Sequence, residues 1–229
     1  MPTIKFTDTT TTIPPEYYPV PGKHALPEWL KNLEPYFDGK FTIDNSSHAN
    51  NTGKRCLPML DAVMSGYVIK TTHDLEISQI DDAPYYKWRA GLGIDFHNPK
   101  QLSTHEAGQR GYYIPKWNNP WSIQTPTGYS SLFVAPLNGD RSPIKAFSGI
   151  VDTDTYHSQV NIPFIIEHGW TGIIEAGTPI VQVFPFRRES WVMETVTGYP
   201  TRLAQIDESI RGAFRNAYRK LYWSRKDYS

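Results

Sequence analysis

Hydrophobic and polar positions alternate over short runs in the middle of the chain, and turn residues separate these runs. Such runs are typical of strands that bury one face. The predicted strands cover residues 66–70, 75–80, 131–135, 160–166 and 180–186. Turn signals separate them at Thr127-Gly128, Asn138-Gly139 and Ala176-Gly177. Short strands without helices between them indicate a mainly β fold, such as a sandwich, a jelly roll or a small barrel.

A different period marks the C-terminal region. Apolar residues recur there at spacings of three and four, which predicts one amphipathic helix over residues 201–224. The stripe consists of Leu203, Ile206, Ile210, Phe214, Ala217 and Leu221. Basic residues crowd the end of this segment and suit the helix dipole.

The pattern divides the chain into three zones. Residues 1–53 are rich in proline and read as an extended arm with a helical turn or two near Trp29. Residues 54–192 form the predicted β core, with an aromatic, turn-rich insertion at 81–120 that packs in the core, forms an interface or binds a ring by stacking. Residues 193–229 form the C-terminal helix and tail. We expect one domain overall, in which the arm wraps its own core or a neighbouring subunit.

Composition excludes several classes of protein. The 229 residues carry 23 Lys+Arg and 23 Asp+Glu, so the net charge is zero and nucleic acid is an unlikely partner. No apolar run is long enough to span a membrane and no leader is evident, so we expect a cytoplasmic or virion-associated protein that is not secreted. Cys56 is the only cysteine. We expect it to be a buried structural thiol.

Four segments of the core, in order, resemble a known superfamily. They are Met64–Tyr67, Ile123–Tyr129, Gly149–Tyr156 and Ile174–Val183. Their order is similar to that of the dUTPase and dCTP deaminase superfamily. The resemblance implies a jelly-roll-like β-clip and a homotrimer with active sites at subunit junctions. The stretch Trp121–Ser130 also resembles an uncharacterised phage and bacterial family that shares Trp-x-Ile-x-Thr-Pro-x-Gly-Tyr-Ser.

The resemblance implies candidate roles for five residues. Asp152 lies where the family has its water-activating aspartate, although an aspartate there also suits a simple turn. Tyr156 is similar to the aromatic residue that stacks on deoxyribose, but it lies one residue farther along. Arg141 and Arg187 could grip phosphate. Gln182 matches a family position in the last strand, where it could contact a ligand or anchor the strand.

Other family motifs differ in this chain. The stretch Pro-Arg-Ser-Ser becomes Pro136 followed by Leu137 and Asn138, and the Gly-Tyr-Asp that supplies a magnesium carboxylate ends in Val68. Arg187, Arg188 and the predicted helix stand in place of the glycine-rich C-terminal arm. These departures predict that dUTP hydrolysis of the family's type is lost. No cofactor is expected, unless a divergent nucleotide enzyme retains magnesium.

A metal site is the third alternative. Asp95 and His97 share a face of a possible strand, and His157 or His168 could complete a set of ligands like those of iron-binding jelly rolls. No histidine pair has the spacing of a metal motif beside a carboxylate on one strand, so the sequence predicts no metal site.

The sequence thus leaves three hypotheses. The first, which we prefer, is a non-catalytic, degenerate dUTPase-fold protein that serves as an oligomeric assembly or binding component, such as a structural component of a phage. Its protein partners would bind at residues 1–53 and 81–120. The second is a divergent deoxynucleoside triphosphate hydrolase or deaminase that uses Asp152. The third is a metal-dependent jelly-roll enzyme.

Overall fold

The structure is a computed structural model that describes residues 1–44, 49–88, 93–198, 201–212 and 217–228. These residues form two compact units, Met1–Arg188 and Glu189–Ser229. The first unit contains all the described strands. They are β1 (Lys5–Asp8), β2 (Val20–Pro21), β3 (Tyr67–Lys70), β4 (Leu75–Ile80), β5 (Ala83–Trp88), β6 (Ile94–His97), β7 (Ile114–Trp117), β8 (Trp121–Gln124), β9 (Tyr129–Val134), β10 (Ile144–Ala146), β11 (Gly149–Val151), β12 (Ile162–Ile166), β13 (Gly172–Ile174) and β14 (Pro179–Arg187).

The strands form four sheets, and every pairing among the described residues is antiparallel. The sheet orders are β11-β9-β14-β3-β2, β10-β12-β7-β6, β13-β4-β5 and β1-β8. The mainly β prediction is confirmed, and the sheets are consistent with a jelly-roll or β-clip core. The five runs of alternating residues all contain strands at the predicted places, namely β3, β4, β9, β12 and β14.

One hydrophobic core joins the sheets. It includes Trp117 and Trp121 from the aromatic stretch, Ile123 from β8, and Val181 and Val183 from β14. Alternate residues of each strand point to one face, so these strands put their apolar side chains on the same side. The core therefore takes Trp117 from the segment that the sequence presented as an insertion.

The structure corrects the description of residues 81–120 as turn-rich. Three strands lie in that segment, and β7 pairs with β12 as an internal strand of a four-stranded sheet. Prolines flank and interrupt these strands, for example Pro84 in β5 and Pro115 in β7. Proline weakens a strand signal because it removes a ladder hydrogen bond.

The described part of the arm packs on its own unit. Strand β1 pairs with β8, strand β2 pairs with β3, and the side chains of Ile13 and Leu30 are buried. Of the possibilities open for the arm, wrapping its own core is the one observed. Residues 45–48 lie outside the described part of the chain.

The helices are short. They are α1 (Glu28–Asn32), α2 (Leu57–Met64), α3 (Glu106–Gln109), α4 (Thr201–Gly212) and α5 (Ala217–Leu221). The C-terminal helix prediction holds for α4 and α5, and Phe214 and Arg215 fall among residues 213–216, outside the described part. No helix among the described residues is long and apolar enough to cross a membrane.

Helix α2, which the sequence did not predict, leads directly into β3. Pro58 suits the first turn of this helix, and the chain then reverses at Gly66, whose φ is +65°. A Cβ on Gly66 would also collide with the carbonyl oxygen of Val183. Only glycine meets both conditions there. Cys56, immediately before α2, is exposed, so the expectation of a buried thiol was wrong.

Candidate functional site

A tight turn follows β11 and carries the two leading candidates, Asp152 and Tyr156. The backbone carbonyl of Asp152 accepts hydrogen bonds from the amides of Thr155 at 3.1 Å and Tyr156 at 2.8 Å. Thr153, which is fully buried, links the turn to β9 and to the residue after β8. Its hydroxyl lies 2.9 Å from that of Ser131 and 2.7 Å from that of Thr125. The segment therefore forms a turn, and Asp152 is held in a defined position within it.

Asp154, two residues farther on, forms the centre of an ion-pair cluster. Its side chain is only 2% exposed. Its two oxygens accept from Arg188 Nη1 at 2.9 Å and Nη2 at 2.5 Å, and the amide of Gly128 donates to it at 2.8 Å. The bond from Arg188, followed by that from Gly128, lowers the pKa of Asp154 from 3.8 to about 2. Asp154 thus stays charged throughout the physiological range.

Arg188 also ties this turn to β9. Its Nη1 donates to the backbone oxygen of Tyr129 and to the hydroxyl of Ser130, each at 3.0 Å, and it lies 3.3 Å from Asp152 Oδ1. Its backbone amide donates to the carbonyl of Gly128 at 2.9 Å. Gly128 has φ +86°, which its turn requires and which glycine accepts without strain. One guanidinium therefore locks two loops at the same end of the sheet.

Asp152 keeps one oxygen available. Its Oδ1 accepts from the hydroxyl of Ser130 at 2.6 Å and from Arg188, whereas no bond to Oδ2 is recorded among the described residues. The Asp152 side chain is 62% exposed. Tyr156, on the same turn, is exposed and donates its hydroxyl to the backbone oxygen of Gln159 at 3.3 Å. Both side chains could touch a molecule that covers the turn.

Arg187 lies near this end of the sheet too. It is the last residue of β14, opposite Tyr129 in the register, and it is exposed. Asp152, Tyr156 and Arg187 are therefore brought to one end of the five-stranded sheet.

Arg141 lies elsewhere. It belongs to the loop after β9, whereas Ser130, beside Asp152, is near the start of that strand. The strand rises about 3.3 Å per residue, so roughly 13 Å of β9 separates Ser130 from Val134. The Arg141 side chain is 88% exposed and pairs with Glu167 at 3.1 Å. Within one chain, Arg141 and Asp152 do not face a common site.

Gln182 lies inside the fold and is 1% exposed. Its side-chain oxygen accepts from the amide of Leu137 at 2.9 Å. Its side-chain nitrogen faces three carbonyl oxygens at the end of α2, of which the oxygen of Ser65 is nearest at 2.6 Å. This placement favours the anchoring role over a contact with a ligand.

The loop after β9 also holds the arm. Both carboxylate oxygens of Asp140 accept backbone amides at the start of α1, from Glu28 at 2.8 Å and Trp29 at 3.2 Å. The indole N–H of Trp29 donates to the carbonyl of Asn138 at 2.8 Å. The arm and the loop line a cleft of about 710 Å³ that contains Arg141, Lys31, Lys70 and Lys145 together with acidic Glu28 and Glu175.

The position that the resemblance links to magnesium carries no carboxylate in this chain. Val68, which stands where the resemblance places the magnesium carboxylate, is buried in β3. In the part of the chain that the structure covers, no group of three or more histidine, cysteine, aspartate or glutamate residues could hold a metal. Asp95 instead pairs with Lys116 at 3.0 Å, and this contact lowers its pKa. The metal hypothesis for Asp95 and His97 gains no support.

Of the residues that form the cluster, Asp154 and Ser130 had no predicted role at the site, and Arg188 was considered only together with Arg187, in place of the glycine-rich C-terminal arm. A signal existed for Asp154, because a second aspartate two residues after Asp152 is unusual for a turn that needs only one. Nothing in the sequence joined Arg188 to it, because the two residues are 34 positions apart.

The comparisons were made with family models, curated proteins and solved structures. No family model matches the chain, and no curated protein does either. Among solved structures it is similar to a mutant dUTPase of Staphylococcus bacteriophage 80alpha with dUpNHpp, at 13% identity and a TM-score of 0.32, over 60% of this chain and 78% of that one. A second mutant of that dUTPase, also with dUpNHpp, has 9% identity and a TM-score of 0.33, over 87% and 90% of the two chains. Because these values are low, no residue role here is taken from those enzymes.

Proposed function

We propose that this protein is a non-catalytic assembly or binding component that works as an oligomer, with a homotrimer as the expected state. The observation that carries the proposal is that two arginine side chains already form ion pairs with carboxylates of the same chain. Arg188 is committed to Asp154 and Asp152, and Arg141 is paired with Glu167. A triphosphate needs cations that are available to its oxygens. Here those two guanidinium groups already neutralise carboxylates of the chain itself.

Exposed apolar residues on sheet edges support assembly. Ile150 lies on β11, at the edge of the five-stranded sheet, and Ile173 lies on β13, at the edge of the three-stranded sheet. Both side chains are largely exposed. An edge strand that carries apolar side chains is suited to pairing with another chain. A component of a larger assembly would cover such edges.

A divergent nucleotide enzyme is the second candidate, and one observation favours it. Asp152 Oδ2 and the Tyr156 ring are both exposed on a rigid turn, which is the arrangement that orienting a water beside a sugar requires. The distance along β9 means that Arg141 could join such a site only from another copy of the chain. Arg187, which lies at the same end of the sheet as Asp152, is the candidate phosphate ligand that one chain could supply.

Two measurements on the full chain separate these functions. Light scattering after gel filtration gives the mass, and thermal unfolding is followed with each deoxynucleoside triphosphate, with and without magnesium, for wild type, Asp152→Asn and the control Asp82→Asn, which changes an exposed aspartate in another turn. The proposal expects a trimer whose melting temperature no nucleotide raises. A ligand that binds the native state at a hundred times its Kd would stabilise it by about 2.7 kcal/mol, which such a scan detects. A nucleotide-specific rise that disappears in Asp152→Asn would favour the enzyme, and a monomer would contradict the assembly role.

A further inference from the structure

A cleft of about 520 Å³ lies between β5 and the segment that leads into β7, away from the turn at Asp152. Its lining combines six aromatic residues with one proline and two small residues. The lining residues are Ala83, Pro84, Tyr85, Tyr86, Trp88, Phe96, Gly111, Tyr112 and Tyr113. No residue in this described lining carries a charge, a carboxylate or a side-chain amide. A charged ligand would find no counterpart there.

Contacts between rings hold the wall of this aromatic cleft in place. Tyr86 and Phe96 have ring centroids 5.6 Å apart and inclined at 56°, and Phe96 meets Tyr113 edge-on at 6.5 Å and 80°. Such tilted and edge-to-face pairs are the preferred arrangements of aromatic rings. Tyr86 also packs against the main core, and Lys87, between the cleft residues of β5, pairs instead with Glu76. The wall is therefore formed before any ligand arrives.

Four polar side-chain groups of the cleft have no hydrogen-bond partner among the described residues. Among the described residues, no hydrogen bond is recorded for the hydroxyls of Tyr85, Tyr86 and Tyr113, or for the indole N–H of Trp88. Burial raises the pKa of Tyr86 to about 12, so this hydroxyl remains a neutral donor. The cleft thus presents apolar ring faces and O–H or N–H donors, with no strong acceptor beside them.

We infer that the aromatic cleft binds a proline-rich peptide segment in the polyproline II conformation. Such a segment is uncharged, its proline rings pack on aromatic faces, and its carbonyl oxygens are free to accept because the helix has no internal hydrogen bonds. Proline itself has no N–H to satisfy. Aromatic grooves that offer tyrosine and tryptophan donors recognise such segments in general. A carbohydrate fits less well, since its many hydroxyls donate as well as accept and the described lining offers no carboxylate or amide.

This inference deepens the proposed binding role and rests on it, but it does not depend on the oligomeric state. A protein that is trimeric and does not bind the peptide would contradict the inference alone. A monomer that binds the peptide would contradict the assembly role alone.

The test uses the full chain and a dye-labelled oligoproline peptide, with binding followed by fluorescence anisotropy at low and high salt. Saturable binding that salt leaves unchanged is expected, since no charged group takes part. Tyr113→Ala should weaken it by roughly tenfold or more, because this ring is 60% exposed and forms one side of the cleft. Tyr113→Phe, which loses only the hydroxyl, should weaken it less.

The matched control is Tyr218→Ala, which removes a similarly exposed tyrosine from the Glu189–Ser229 unit and should leave binding unchanged. Circular dichroism checks that each variant is folded, and the exposed position of Tyr113 makes its truncation tolerable. Four results would each overturn the inference. They are the absence of saturable binding at millimolar peptide, equal binding by Tyr113→Ala and wild type, strong weakening of binding by salt, and displacement of the peptide only by a malto-oligosaccharide.

Discussion

Arg188 grips Asp154 through both oxygens of its carboxylate, across 34 residues of sequence. The carboxylate is almost completely covered, whereas the guanidinium is partly exposed. The pair joins the end of β14 to the turn after β11, and its bonds to Tyr129 and Ser130 extend the link to β9. The position of Asp152 thus depends on a residue that lies 36 positions farther along the chain.

Replacing Arg188 with alanine should loosen this end of the sheet. Asp154 would keep only the amide of Gly128 as a recorded donor from another residue, and a covered carboxylate without its cation is unfavourable. We expect a lower melting temperature and faster hydrogen exchange at Gly128 and Tyr156. Arg188→Lys should recover only part of the loss, since lysine cannot bond both oxygens in parallel.

Arg141→Ala is the matched control for this prediction. It removes another arginine from an ion pair, but that pair is exposed and such pairs contribute about 0–1 kcal/mol. Its melting temperature should stay close to that of wild type. If the two variants melted together, the Arg188–Asp154 pair would have no special structural role.

Acid should weaken the protein through Asp154. The pKa of this carboxyl is about 2 in the folded protein, below its ordinary value of 3.8. A lowered folded pKa means that the charged form stabilises the fold above the unfolded value, and that this contribution is lost as the pH falls from about 4 toward 2. Urea unfolding across that interval should show a steep loss for wild type and a shallower one for Asp154→Asn. Parallel curves would show that Asp154 is not the group responsible.

Local patterns in the sequence located five of the fourteen described strands, but they did not identify the site. Alternation of apolar residues located β4 and β14 because each strand buries one face. The strands β5 and β7 were not predicted because prolines interrupt their alternating pattern. Helix α2 was not predicted because it is too short for a helical period to be recognised. Such patterns identify only structure that is formed by residues close together in the sequence.

The candidate site shows the limit of such patterns. The turn at Asp152 could be predicted because its residues are contiguous. The pairing of Arg188 with Asp154 and of Gln182 with Leu137 could not, since it depends on how separate strands meet. Arg141 was proposed as a phosphate ligand because the resemblance calls for an arginine after β9, and that strand places Arg141 at the other end of the sheet from Asp152.

Gln182 should contribute strongly to stability. Gln182→Ala would leave the amide of Leu137 and the carbonyls at the end of α2 without their partner in a buried region, and would open a cavity. We expect a loss of about 3 kcal/mol in the free energy of unfolding, measured with urea. Gln101→Ala, at an exposed position, is the control and should change the free energy of unfolding very little. A small loss for Gln182→Ala would mean that these groups find other partners.

Asp140 should hold the arm to the loop after β9. Its carboxylate accepts the first two amides of α1, a role that a capping side chain from the helix's own sequence would otherwise fill, because Pro27 before the helix has no side-chain acceptor. Asp140→Ala should remove about 1 kcal/mol of local stability, as loss of a helix cap does. Limited trypsin digestion should then cut sooner after Lys23 and Lys31, which flank this contact, while cleavage after Lys100 in another loop should be unchanged. Equal cleavage of the arm in wild type and Asp140→Ala would show that α1 is held by Trp29 and Leu30 alone.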